Sequence, residues 1–140
     1  MTMKYYAVID TNVIVSALLK STSVPGNILE LTFCGTITPL ISPEIISEYR
    51  NVLSRPKFHW SKEIVDTVVG EIERIGINVS PEYVDIELPD PKDRVFYEVT
   101  IEGRKKENTR LVTGNIKHFP EKAFVVTPRQ MLDIIINDTE

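Results

Sequence analysis

The stretch Tyr5-Tyr6-Ala7-Val8-Ile9-Asp10-Thr11-Asn12-Val13-Ile14-Val15 decides how the chain is read. Its first five residues have the aromatic and β-branched content of a buried strand. The second run continues through Ser16-Ala17-Leu18-Leu19, which is too long for another strand and reads as a buried helix. Asp10 is therefore a lone carboxylate where a first strand turns into a helix. In α/β proteins ligands bind there, beyond the carboxyl end of a strand. A charge is costly to bury unpaired, and no partner is adjacent in sequence. A cation or a donor from elsewhere in the chain must face it.

Outward from this junction, short apolar runs alternate with amphipathic segments. Residues 12–20 read as a helix and Ser21-Thr22-Ser23 as a break. Pro25 takes a first helical position ahead of Ile28, Leu31 and Phe33, and Gly35 closes that helix. Residues 36–41 form a second strand. Ser42 and Pro43 cap a helix carrying Ile45, Ile46, Tyr49, Val52 and Leu53, which Pro56 ends. Ser61 caps the next helix, where Ile64, Val65, Val68, Val69, Ile72 and Ile75 make one stripe. Residues 78–91 read as loop with a short strand at 83–86. Asp90 caps a helix with Pro91 at its first position and Val95, Phe96 and Val99 on its inner face. Strands follow at 110–113 and 123–126, and Pro128 opens a last helix through Met131, Leu132, Ile135 and Ile136. Strands separated by helices imply right-handed crossovers and a parallel sheet covered on both faces. The expected fold is α/β, a three-layer α/β/α sandwich around a parallel sheet of four to five strands, formed by residues 1–140 as one domain.

The 140 residues fit one compact domain, with 42% hydrophobic and 26% charged content, an ordinary soluble composition. No apolar stretch approaches the roughly 18 residues of a membrane helix, and no signal peptide is evident. The single cysteine, Cys34, lies in an apolar helical pattern and reads as a small buried hydrophobe; with no internal disulfide available, a cytoplasmic location is expected. A net charge of −4 argues against a nucleic-acid-coating protein but not against an RNA-cleaving enzyme with a locally basic groove. Arg104-Lys105-Lys106, Lys117-His118, and Arg50 with Arg55 and Lys57 form three basic groups, each of which alone reads as solvated surface.

Three further stations stand out. Glu48 falls on the shoulder of its helix's apolar stripe, beside Ile45 and Val52, from where a carboxylate reaches over the sheet edge. Taken alone, it reads first as an exposed helix acid beside Arg50 or Arg55. Asp93 sits in an early helical turn after Asp90, favoured by the helix dipole or by the neighbouring sheet edge. Thr113-Gly114-Asn115 ends another strand, where Gly114 permits a tight turn. Like charges gathered in one place repel unless a cation neutralises them. Hard oxygens in that arrangement suit Mg²⁺ or Mn²⁺. With His59 and His118 far apart and one cysteine, there is no zinc pattern.

These residues carry a resemblance. Val8-Ile9-Asp10-Thr11-Asn12, Ile41-Ser42-Pro43-Glu44-Ile45-Ile46-Ser47-Glu48-Tyr49, Asp90-Pro91-Lys92-Asp93-Arg94-Val95-Phe96 and Leu111-Val112-Thr113-Gly114-Asn115 occur in the order seen in PIN-domain proteins. Val126-Thr127-Pro128-Arg129-Gln130-Met131-Leu132 is similar to that family's last strand-to-helix turn. The chain resembles the group described as the toxin half of toxin–antitoxin pairs. The resemblance implies a Mg²⁺- or Mn²⁺-dependent endoribonuclease for single-stranded RNA, a small antitoxin that blocks the acidic pocket, and a homodimer. By matched position it implies Asp10, Glu48 and Asp93 as catalytic metal-binding carboxylates. Asn115 completes the metal set where many members have Asp, leaving three formal negative charges instead of four. Asn12 and Thr113 are implied as positioning groups, with Asp90 supporting; Arg50, Arg104, Lys105 and Lys117 are candidate RNA contacts. Attack by water rather than by the 2′-hydroxyl implies 5′-phosphate and 3′-hydroxyl products.

Two alternatives remain at this level. A haloacid-dehalogenase-like phosphatase also places Asp after its first strand, but needs a second Asp where this chain has Asn12. A catalytically weak PIN-like domain would act only by binding a partner.

Overall fold

The computed structural model describes residues 3–138. Five strands, β1 (Tyr5–Ile9), β2 (Ile37–Ile41), β3 (Ile77–Asn78), β4 (Thr109–Val112) and β5 (Val125–Val126), form one sheet in the order β3-β2-β1-β4-β5. All four pairings are parallel. Six helices cover it: α1 (Thr11–Leu19), α2 (Val24–Phe33), α3 (Pro43–Leu53), α4 (Lys62–Ile75), α5 (Arg94–Gly103) and α6 (Pro128–Asp138). This is the expected three-layer sandwich. Among the described residues no helix is long and apolar enough to cross a membrane.

The strands are near-continuous apolar runs because both faces of the sheet are covered. Val8, Ile9, Ile37, Ile41, Leu111 and Val112 are all buried. Ser42 caps α3 by accepting from the Ile45 N–H, with Pro43 in its first turn, which starts the helix directly from the end of β2. Tyr49 is fully buried and its hydroxyl donates to the Ile9 carbonyl at 2.5 Å, pinning α3 to the end of β1. α5 lies so close to the sheet that a Cβ on Gly103 would meet Leu40 Cδ2 at 2.2 Å and Thr109 Oγ1 at 2.9 Å.

Several expectations are corrected. Residues 83–86 are not a strand. The Arg94 guanidinium takes the Val84 and Ile86 carbonyls and Glu98 accepts from the Val84 N–H, so side chains satisfy backbone that a ladder would have used. The third strand is instead Ile77–Asn78, at the sheet edge. The helix expected from Pro91 begins as a 3₁₀ turn, Pro91–Asp93, that runs into α5. Cys34 is exposed, because it follows the last turn of α2 where Gly35, at φ 92°, reverses the chain. Phe33, Ile64 and Ile136 are exposed flanks of their helices rather than core. Gly114 does not use a left-handed backbone; it supplies an N–H to Asn12 Oδ1.

Candidate metal centre

The strand order reverses between β1 and β4. The chain leaves β1 toward β2 and β3 on one side, then returns to lay β4 and β5 on the other. In such sheets the helices after the two central strands part company and leave a crevice at the carboxyl ends. Ile9 is in register with Val112, so the residues that follow, Asp10 and Thr113, emerge side by side over that crevice. The Asp10 N–H donates to the Val112 carbonyl at 2.9 Å.

Asp10 stands at the N-cap of α1 with extended backbone, yet its side chain makes no cap bond. The carboxylate is held elsewhere: Oδ2 accepts from Thr113 Oγ1 at 2.8 Å and from Asn12 Nδ2 at 3.2 Å. Thr113 is fully buried and its hydroxyl accepts in turn from the Asn115 N–H at 3.0 Å. The Asn12 oxygen accepts from the Gly114 N–H at 3.0 Å. Asp10, Asn12, Thr113, Gly114 and Asn115 thus form one bonded unit linking two strand ends 103 residues apart. With both ends of its amide engaged, Asn12 orients Asp10; the second carboxylic acid that an aspartyl-phosphate enzyme needs is absent from this position.

A cleft of about 360 Å³ opens beside this unit, lined by Asp10, Glu48, Asp90, Asp93 and Asn115 together with Arg55, Lys92 and His118. The three carboxylates singled out in the sequence therefore face one space. Glu48 comes from the middle of α3, with Val52 one turn further on the same face; Arg55 reaches the cleft from just beyond the end of that helix. Asp93 comes from the start of α5, also without a side-chain cap bond. Asp90 is exposed and accepts from the Lys92 N–H at 3.0 Å, holding the turn that presents Asp93.

Burial pushes the Asp10 carboxyl up to about 6, with the Thr113 hydroxyl opposing and Asp93 adding to the rise. Burial also raises Asp93, helped by Asp90 and Glu48 and opposed by His118. Burial is the larger cause in both, and the neighbouring carboxylates add to it because like charges oppose ionisation. His118 Nδ1 lies 3.3 Å from Asp93 Oδ2, an ion pair only when the imidazole is protonated. The approach is not aligned as a hydrogen bond, so Asp93 Oδ2 stays buried without a hydrogen-bond partner, as does Thr11 Oγ1 on the same cleft. Buried oxygens without a hydrogen-bond partner are uncommon, and an ion, water or ligand is one way of satisfying them; Thr109 Oγ1, outside this cleft, is a third such atom. The donor set, all hard oxygens, matches a small divalent cation. As they stand, no three acidic, histidine or cysteine side chains among the described residues group tightly enough to hold a metal ion.

The candidate RNA contacts fall differently. Arg50 is paired with Asp66 at 2.6 Å. Arg104 and Lys105 follow the far end of the ten-residue α5, about 15 Å along its axis from Asp93. Arg104 bonds the Thr109 carbonyl, and Lys105 meets Glu102 and Glu82. Lys117 is exposed beside a separate pocket formed with Phe119, Pro120 and Val125. Arg55, Lys92 and His118 line the acidic cleft instead. Arg55 and His118 belong to the basic groups read in the sequence, Lys92 stands between Asp90 and Asp93, and nothing in the sequence singles out Thr11.

The sequence profile of one family, described as PIN domain, matches residues 6–117. A protein of Methanocaldococcus jannaschii, named only as uncharacterized, is 28% identical over 105 residues, covering 73% of this chain and 68% of its own. No solved structure matches.

Proposed function

The chain belongs to the PIN-domain family, whose members are generally nucleases that use divalent metal ions, and from this we propose that it is a Mg²⁺- or Mn²⁺-dependent endoribonuclease acting on single-stranded RNA. The observation that supports this most is that Asp10, Glu48 and Asp93, from three separate elements, line one cleft at the carboxyl end of the sheet. Asp93 brings to that cleft a buried oxygen with no hydrogen-bond partner. Asp10, Glu48 and Asp93 would hold the ion, and Asn115 would add a neutral oxygen. Bound there, the ion supplies Lewis-acid polarisation of the phosphodiester and acidifies the attacking water. Thr113 and Asn12 keep Asp10 turned into the cleft and away from the helix end it would otherwise cap. Arg55 and Lys92 receive the charge of the RNA backbone at the rim.

The biological reading is the toxin of a toxin–antitoxin pair, working in the cytoplasm as a homodimer and restrained by a small antitoxin over the acidic cleft; residues 1–140 act as one domain. The test is cleavage of single-stranded RNA with Mg²⁺ or Mn²⁺, beside Asp10→Asn prepared identically. Expected products carry 5′-phosphate and 3′-hydroxyl ends. A 2′,3′-cyclic phosphate, or equal cleavage by the variant, refutes the reading.

A further inference from the structure

The segment that follows Glu48 carries the chain away from the acidic cleft and is unusual in composition. Residues 49–62 contain four Lys or Arg and no Asp or Glu, in a chain whose net charge is −4. Arg50 and Lys62 are both spent on Asp66. Arg55 and Lys57 are exposed and have no acidic partner among the described residues. Arg55 lines the cleft. From there a 3₁₀ turn, Pro56–Phe58, folds the chain back, with the Phe58 N–H donating to the Arg55 carbonyl at 3.1 Å. Lys57 Nζ lies 5.1 Å from the centre of the Phe58 ring. The Phe58 and Trp60 rings stack at 4.7 Å and 15°.

A hydrophobic plug would explain two aromatics if both were buried in the core. Trp60 does pack partly against it, but Phe58 is not among the side chains that do, and both rings are only half-buried. Between them His59 holds φ 59°, the one non-glycine residue with positive φ among those described. A conformation of this kind costs roughly 1 kcal/mol or more and persists where the surroundings require it. Cations interleaved with stacked rings are what an unpaired polynucleotide needs: charge for its phosphates, flat apolar faces for its bases. A duplex keeps its bases stacked inside and offers nothing to the rings.

We propose that segment 55–60 is the platform on which a single-stranded polynucleotide rests as it leaves the acidic cleft, with Arg55 and Lys57 on its phosphates and the Phe58–Trp60 pair stacked against its bases. This rests on the nuclease reading and adds to it the strand's path and the side chains that select unpaired bases.

Trp60 is the sole tryptophan, so its fluorescence reports on the platform without any cleavage. Wild-type protein in EDTA is titrated with an oligoadenylate of about ten nucleotides, its deoxy counterpart, and a duplex of equal length. Single strands are expected to quench Trp60 and the duplex to leave it bright; the RNA and DNA arms tell the two sugar backbones apart. Phe58→Ala and Phe58→Leu each weaken single-strand binding roughly 5- to 100-fold, while Phe58→Tyr restores it. Phe58→Leu keeps the apolar bulk, so its loss does not reduce to misfolding. Lys57→Ala lowers the salt slope by about 0.7. Unchanged Trp60 emission with single strands, equal quenching by duplex, or undiminished binding by Phe58→Leu overturns the platform. Quenching without any metal-dependent cleavage supports the platform and removes the nuclease reading; cleavage with Trp60 unquenched does the reverse.

Discussion

At the residue scale, Asp10 works against the fold that holds it. The unfolded chain takes up its proton near 3.8, the folded metal-free protein near 6. Between these values the folded state binds the extra proton, so metal-free stability rises as pH falls through about 6, and the gain is complete below 3.8. Above 6 the ionised carboxylate costs the fold on the order of 3 kcal/mol. Asp66 and Glu71, lowered by their basic partners, act in the opposite sense, so the measurement is a difference. Asp10→Asn is expected to abolish cleavage yet raise the melting temperature of metal-free protein at pH 8, with the advantage over wild type vanishing by pH 4. Thr113→Val removes the hydroxyl that holds the Asp10 carboxyl down. Its titration, followed by carbon NMR, should move above about 6, and kcat should fall roughly 10- to 100-fold.

At the element scale, the site depends on how α3 and α5 are seated. Tyr49 fixes α3 through one buried hydrogen bond to the end of β1, one residue before Asp10. Tyr49→Phe leaves the Ile9 carbonyl unpaired and is expected to cost about 1–3 kcal/mol, read as a shift of the urea midpoint at unchanged slope. Because Glu48 precedes Tyr49, cleavage should weaken in the same variant. α5 is seated by a missing side chain. Gly103→Ala forces a methyl into Leu40 and Thr109 and should destabilise by roughly 1–3 kcal/mol through overpacking. The caps of α3 and α4, Ser42 and Ser61, were legible because a hydroxyl three residues ahead of an apolar stripe is a local signal. The 83–86 misreading has the same root: alternating Val84 and Ile86 mimic a strand, and only the distant Arg94 and Glu98 say otherwise.

At the scale of the whole molecule, the cleft gathers more negative charge than its protein partners compensate. Saturating Mn²⁺ or Mg²⁺ at pH 7.5 is therefore expected to raise the melting temperature, by about 2.7 kcal/mol of stabilisation at a hundredfold excess over Kd. EDTA should reverse the rise, and Asp93→Asn should remove most of it. A metal-indifferent melting curve in wild-type protein would count against a cation at this site. The α/β class and the parallel sheet were readable because apolar runs between amphipathic helices leave few other packings. Less of the site could be read, since it is the packing of separate elements that brings Arg55 and His118 to the same cleft as Asp10 and Asp93.

Local periodicity alone determined that Asp10 and Thr113 close strands and that Glu48 rides the shoulder of a helix, because side-chain direction repeats with the backbone. The tertiary structure decided that β4 lies beside β1. That placement brings a hydroxyl 103 residues away onto the Asp10 carboxylate, and strand order is set by how crossovers pack on a sheet, which no window of neighbouring residues encodes.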